Sequence, residues 1–259
     1  MVFDERMVYS KVSLEKMTLN IAHRGFSGLY PENTMLSFKK AVELGVDAIE
    51  LDVQLSKDGV LMIFHDEDLL RTTGEKGLLK DRTFNELREL DASGTFRGIY
   101  GKNLIPTLPE YLEWLSDADT LTFLELKNSM ICYPQLEEKV ADCIVQFRLQ
   151  DKIILYSANH LSVKHFGDLA PNVLLLFPFD NWLYDYGAYC HRHGITACMP
   201  YYCALTPEVV TEMKAYGVAI YPWTVDDPED MRAVLKLGID GLLTNRPDRL
   251  KAILQSLEN

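Results

Sequence analysis

Two hydrophobic periods take turns along this chain. Short runs such as LNIAH, AIELDVQL, LTFLELK, IILYS and GLLTN are alternating or continuously apolar, the pattern of strands that are partly or wholly buried. Longer segments between them repeat apolar residues every three or four positions, as amphipathic helices do. The runs predict strands near 19–25, 48–56, 121–127, 152–158, 173–179, 195–199, 219–225 and 241–244. The segments predict helices over 34–44, 134–149, 161–169, 183–193, 207–216 and 228–237, and a last one from Pro247 onward. Thr206-Pro207 and Asp227-Pro228 read as an N-cap followed by proline at the first helical position. Gly45, Gly194, Gly217 and Gly238 each follow a periodic run and fit helix C-caps. Strand–helix alternation with eight parallel strands predicts an α/β fold, the (β/α)8 TIM barrel. A doubly wound sheet is the rival, and no GxGxxG turn supports it.

One region departs from the alternation. Residues 48–67, AIELDVQLSKDGVLMIFHDE, read as two strands joined at Asp58-Gly59, a favoured two-residue hairpin turn. If that dipeptide occupies the turn, paired positions sum to 117 and Asp52 lies opposite His65. Residues 68–108 then form a stretch too long for an ordinary connection, with its own short helix near 83–90. They are expected to be a small insertion folded over the mouth of a single catalytic domain spanning residues 1–259.

Composition narrows the functional classes. With 259 residues and 47% hydrophobic content there is material for one large core. The 38 acidic residues outnumber 26 basic ones, a net charge of −12, which argues against a nucleic-acid partner or an anionic membrane surface. No run approaches the length of a membrane span. Five cysteines without a CxxC spacing suggest small buried hydrophobes in a reducing compartment. The opening MVFDERMVYSKVSLEKMT has acidic residues and no apolar run, unlike a secretory leader, so a cytoplasmic protein is expected. The pattern is silent on oligomeric state.

Glu50 and Asp52 are two apart on one strand and so share a face; Glu125 and Lys127 repeat the spacing in FLELK. Both pairs fall near the C-terminal ends of barrel strands, where barrel enzymes hold their chemistry. Either pair alone is commonly a solvated strand-end charge. Three carboxylates in one mouth, however, repel unless a cation neutralises them, and oxygen ligands favour Mg²⁺ or Ca²⁺ over zinc. His23 closes the first strand and His65 the hairpin, giving two groups able to exchange protons near neutral pH. Arg24 and Lys127 are candidate contacts for phosphate oxygens, or salt-bridge partners of the carboxylates. Trp223 ends the seventh strand and could face a ligand's carbon skeleton or pack at the rim. Asp66 and Asn33 suit turn and cap chemistry, with Asp66 also placed to orient a histidine.

These residues lie in HRGFSGLYPENTMLSFKKAVELGVDAIELDVQLSKDGVLMIFHDEDLLRTT, which resembles the signature of glycerophosphodiester phosphodiesterases. The resemblance continues through IPTLPEYLEWL, FLELK and YPWTVDDPEDMRAVLKLGIDGLLTNRP, from about residue 19 to 250. It implies a barrel with a small helical insertion, a metal held by Glu50, Asp52 and Glu125, and His23 and His65 as acid and base. It also implies phosphate contacts from Arg24 and Lys127, a substrate-side Trp223, and release of glycerol 3-phosphate and an alcohol from a small-molecule glycerophosphodiester. The departures lie elsewhere: LYSANH replaces an expected Ser-Phe pair, and FPFDNWLYDY is unusually aromatic, which bears on the alcohol group. A lysophospholipase D-type enzyme with a greasier rim is the nearest alternative. A non-catalytic phosphate-ester binding module would lack a histidine or a metal carboxylate, and none is missing; a metal-independent sugar-binding barrel leaves the carboxylates unexplained.

Overall fold

The computed structural model describes residues 18–258, so residues 1–17 of the opening stretch compared above with a secretory leader lie outside the described residues. Its strands are β1 (Leu19–Ala22), β2 (Ala48–Leu55), β3 (Leu61–Ile63), β4 (Leu121–Leu126), β5 (Ile153–Tyr156), β6 (Leu174–Leu175), β7 (Phe177–Phe179), β8 (Ala197–Pro200), β9 (Ala219–Ile220) and β10 (Gly241–Thr244). Parallel pairing runs β10-β1-β2-β4-β5-β6 and then β7-β8-β9, with β6 and β7 two pieces of one barrel strand broken at Leu176. Bonds from Asp240 N to Ile220 O and from Leu243 N to Pro222 O, each 3.0 Å, join β9 and its extension to β10 and close the ring. Eight parallel barrel strands result, in the expected order, and β3 lies outside the ring as an antiparallel partner of β2.

The period-2 alternation of each strand sorts residues between two cores. Leu19, Ile21, Ala48, Phe123, Ile154, Met199, Tyr221 and Leu243 fill the barrel interior. Ile49, Leu51, Val53, Leu124 and Leu126 point outward against the helical layer. Helices α1 (Met35–Leu44), α4 (Leu108–Asp117), α5 (Leu136–Phe147), α6 (His160–Leu169), α7 (Tyr186–Arg192), α8 (Pro207–Ala215), α9 (Pro228–Leu235) and α10 (Pro247–Glu258) form that layer. Thr206 and Asp227 cap α8 and α9 ahead of their prolines as read from sequence. No helix among the described residues is long and apolar enough to cross a membrane.

The hairpin register differs from the expected one by a residue. Observed pairs are Val53–Ile63, Gln54–Met62 and Leu55–Leu61, which sum to 116, so Phe64 and not His65 lies opposite Asp52, its N–H donating to Asp52 O at 3.0 Å. The loop has three residues, Lys57-Asp58-Gly59: Ser56 N donates to Val60 O and Gly59 N to Ser56 O, with Gly59 left-handed at φ +78°. Asp58 also has work inside the loop, accepting from Ser56 Oγ at 2.7 Å and from Phe84 N at 2.8 Å. This last bond ties the loop to the segment that follows β3. That segment carries α2 (Leu70–Thr73) and α3 (Phe84–Arg88), and buries Leu69, Leu79, Leu87, Ala92 and Ile105 against Met62 and Phe64.

Replacing Gly59 with alanine should cost about 1–2 kcal/mol, the penalty for an L side chain in the left-handed region. Urea unfolding midpoints compared at constant slope would measure it.

Candidate active site

The site sits where the interior alternation reaches the C-terminal ends of β1, β2 and β4. Ala48 points inward, so Glu50 and Asp52 do too; Phe123 points inward, so Glu125 follows. Parallel register sets Asp52 beside Glu125 and Glu125 beside Tyr156. One oxygen from each of Glu50, Asp52 and Glu125 lies within 4.8 Å of the others. Glu50 and Asp52 are each 1% exposed, so water contributes little to screening them.

The neighbours divide this charge. Arg24 N donates to Glu50 Oε2 at 2.9 Å, which its left-handed backbone (φ 56°) makes reachable, and Tyr156 Oη donates to Glu50 Oε1 at 2.8 Å. Asn33 Nδ2 donates to Asp52 Oδ2 at 2.7 Å, while the Arg24 Nε is 3.6 Å from that oxygen. Lys127 Nζ lies 3.1 Å from Glu125 and 3.8 Å from Asp52. Burial pushes the Glu50 carboxyl well above the ordinary glutamate range and the Asp52 charge pushes it further. Burial acts on Asp52 in the same direction, but the charges of His65, Lys127 and Arg24 outweigh it and hold Asp52 below the usual range. Glu125 is raised by burial against the pull of Lys127. Two carboxyls that resist ionisation beside one that stays ionised fit a cation site, and the buried Asp52 Oδ1 lacks any hydrogen-bond partner. An oxygen-only donor set of this kind suits a hard divalent ion.

The two histidines flank the cluster with different partners. His23 Nε2 is 3.8 Å from Glu50 Oε2, and its Nδ1 is 2.7 Å from Asn245 Oδ1. The Asn245 amide cannot turn over freely, because its Nδ2 donates to Asp226 Oδ2 at 2.7 Å and its N–H to Asp226 Oδ1 at 2.8 Å. Its oxygen therefore faces His23 and requires the Nδ1–H form, leaving Nε2 with a lone pair toward the carboxylates. Burial, then the Arg24 charge, lowers the His23 pKa to about 4 and keeps the ring neutral. His65 instead has Nδ1 2.7 Å from a carboxylate, Asp66 Oδ1. Arg71 Nε binds Asp66 Oδ2 at 2.6 Å and its two other nitrogens grip Glu32, which also accepts from Arg24. One polar chain thus links His65 to Arg24.

The sequence-predicted Glu50, Asp52, Glu125, His23, Arg24 and Lys127 are joined by these contacts, and His65 is tied to them through Asp66, Arg71, Glu32 and Arg24. Trp223 stands outside the network: Nε1 donates to Met199 O at 2.9 Å and the ring packs on Tyr201. Asn33, expected to serve turn and cap chemistry, also binds Asp52; Tyr156, Asn245, Asp226 and Glu32 were not singled out from sequence. Tyr156 alone left a signal, since it continues the inward alternation of β5. The others sit on loops, where no period shows which way a side chain points. A cavity of 410 Å³ opens beside His23 and Arg24, lined also by Ser27, Asp226, Asn245 and Arg246.

The sequence profile of the glycerophosphoryl diester phosphodiesterase family matches residues 23–249. The chain belongs to that family. It is 40% identical over 233 residues to the glycerophosphodiester phosphodiesterase of Caldanaerobacter subterraneus subsp. tengcongensis, covering 90% of this chain and 96% of the relative. It is 40% identical over 245 residues to that of Bacillus altitudinis, covering 93% and 100%. Among solved structures it is similar to an Oleispira antarctica phosphodiesterase in complex with the product sn-glycerol-3-phosphate, with a TM-score of 0.83, 28% identity, and 96% and 99% of the two chains covered. A crystal structure from Silicibacter pomeroyi matches with a TM-score of 0.83 at 25% identity, over 92% and 93%. Glycerophosphoryl diester phosphodiesterase family membership agrees with the barrel and with the acidic cluster at its mouth.

Raised carboxyl pKa values mean that the metal-free site holds protons at pH values where an ordinary glutamate has lost them. A cation must displace those protons. Affinity for a divalent cation should therefore fall as pH is lowered toward the ordinary glutamate range, with proton release on binding. Calorimetry in buffers of different ionisation enthalpy checks both; pH-independent binding without proton release would contradict the assignment.

Proposed function

We propose that this enzyme hydrolyses small-molecule glycerophosphodiesters to glycerol 3-phosphate and a free alcohol, with His23 as general base and His65 as general acid. The observation that carries this reading is the difference in their partners: a neutral amide on His23, a carboxylate on His65. An amide oxygen fixes the tautomer without favouring a second proton, which leaves Nε2 of His23 ready to take the proton of the attacking oxygen. A carboxylate stabilises an imidazolium, so His65 can deliver a proton to the departing alcohol oxygen as the P–O bond breaks.

Glu50, Asp52 and Glu125 are the residues that would hold Mg²⁺ or Ca²⁺, which when bound neutralises negative charge on the phosphoryl oxygens. Lys127 and Arg24 add fixed positive charge at the same place, and each is partly accessible at 12% and 16% exposure. Trp223 then faces the carbon skeleton of the substrate. Arg71 reaches Glu32 and Asp66 from within residues 68–108, which supports reading that insertion as cover for the mouth.

A second reading has one observation in its favour. Met130, Leu161, Trp182 and Tyr184 are 81%, 80%, 68% and 95% exposed, and they follow β4, β5 and β7 at the same end of the barrel as the site. Such a rim suits a lysophospholipid, cleaved by the same chemistry.

The two are separated by incubating the protein with glycerophosphocholine, glycerophosphoethanolamine and lysophosphatidylcholine, with either ion or with chelator. Glycerol 3-phosphate should appear from the first two and cease with chelator; undiminished turnover in chelator would overturn the metal site. Faster cleavage of the lysolipid would favour the second reading. His23→Ala and His65→Ala should each lower kcat by about 10²–10⁴-fold while circular dichroism and metal affinity hold.

A further inference from the structure

His65 lies past the end of the β2–β3 ladder, since the last strand pair is Val53–Ile63. Something other than sheet pairing must fix its height above the carboxylates. Gln54, fully buried on β2 and one inward position beyond Asp52, supplies it. Its Nε2 lies 2.8, 3.0 and 2.8 Å from the carbonyl oxygens of Phe64, His65 and Asp66. Three consecutive carbonyls turned toward one amide nitrogen curl the chain back over β2. The same curl sets the side chains of His65 and Asp66, whose contact is 2.7 Å.

The amide could do the opposite if reversed, because its oxygen would then face three carbonyl oxygens. The three carbonyls themselves oppose this, and Tyr133 satisfies the oxygen that remains. Its hydroxyl donates to Gln54 Oε1 at 2.8 Å, and its own N–H is held by Asn128 Oδ1 at 2.6 Å. Burial, together with the charges of Glu67 and Asp81, raises the Tyr133 phenol well above its ordinary range, so it stays protonated. Asn128 in turn donates to the buried Glu137 at 2.7 Å. The loop after β4 therefore reaches under the loop after β3.

We propose that Gln54 and Tyr133 are positioning residues for the reaction, acting through the backbone of residues 64–66 to hold His65 at the carboxylate cluster. The proposal rests on the reading of His65 as proton donor. Neither residue touches the carboxylates or a reacting atom, so their effect falls on kcat and on the surroundings of the His65 ring, not on metal affinity.

The test is Gln54→Met, which keeps length and loses the donor, with Tyr133→Phe and the double variant. Gln54→Met should lower kcat on glycerophosphocholine by about 10²-fold, the effect of an ångström-scale misplacement, with KM and Mg²⁺ affinity within about twofold. Tyr133→Phe should lower kcat less, and the double variant no further than Gln54→Met alone, because both act on one amide. In metal-free protein with ¹⁵N-labelled histidine, the ring signals of His65, assigned by their loss in His65→Ala, should move while those of His23 stay. Unchanged ring signals with kcat within about threefold of wild type would overturn the proposal, as would additive losses in the double variant. If Gln54→Met does not fold, Tyr133→Phe decides on the same readouts. A wild-type protein that fails to turn over any of the three substrates would refute the enzymatic reading, whereas the ring signals would still judge Gln54.

Discussion

Repulsion among three carboxylates held within 4.8 Å at the mouth of a barrel governs most of the polar structure around them. In water such a cluster would be weakly coupled; inside the barrel, with Glu50 and Asp52 nearly inaccessible, the coupling is strong. The surrounding side chains divide accordingly. Hydroxyl and amide donors from Tyr156 and Asn33 saturate one oxygen each on Glu50 and Asp52, and the charges of His65, Lys127 and Arg24 hold the Asp52 carboxyl below its usual range. A divalent cation would favour the ionised form of the two carboxyls that burial keeps protonated. Replacement of these groups by well-packed apolar residues would make a simpler core.

The same reasoning separates the histidines. Both rings are hydrogen-bonded through Nδ1, but to partners of different charge, a neutral amide for His23 and a carboxylate for His65. Asn245, anchored by Asp226, and Asp66, anchored by Arg71, are both supplied by chain that follows a strand end. Loops at the C-terminal face thus supply the hydrogen-bond partners, while strands set position. The division fits the general economy of this barrel, in which the scaffold is uniform and the loops carry specificity.

Much of this was legible in the chain's hydrophobic pattern. Alternation at Glu50, Asp52, Glu125 and Tyr156 follows from the two-residue strand period, and eight strand–helix units follow from the switch between periods. The three metal candidates and His23 could be placed because each sits on a strand or one residue beyond it. Trp223 shares the inward alternation of its strand, yet its indole N–H is spent on Met199 O, a contact that no period encodes.

What only the tertiary structure decided begins at the Lys57-Asp58-Gly59 turn. A left-handed Gly59 accommodates a three-residue loop as readily as a two-residue one, and Asp58 is drawn into the longer form by Ser56 and by Phe84 N, 26 residues away. The one-residue difference moves Phe64 opposite Asp52 and leaves His65 to be placed by Gln54 and Tyr133. Partners such as Asn245 for His23, separated by 222 residues, leave no local trace because the contact exists only once the barrel has closed. Local sequence determined which groups face inward, through strand geometry; long-range closure determined what each inward group is bonded to, and so its charge and its proton.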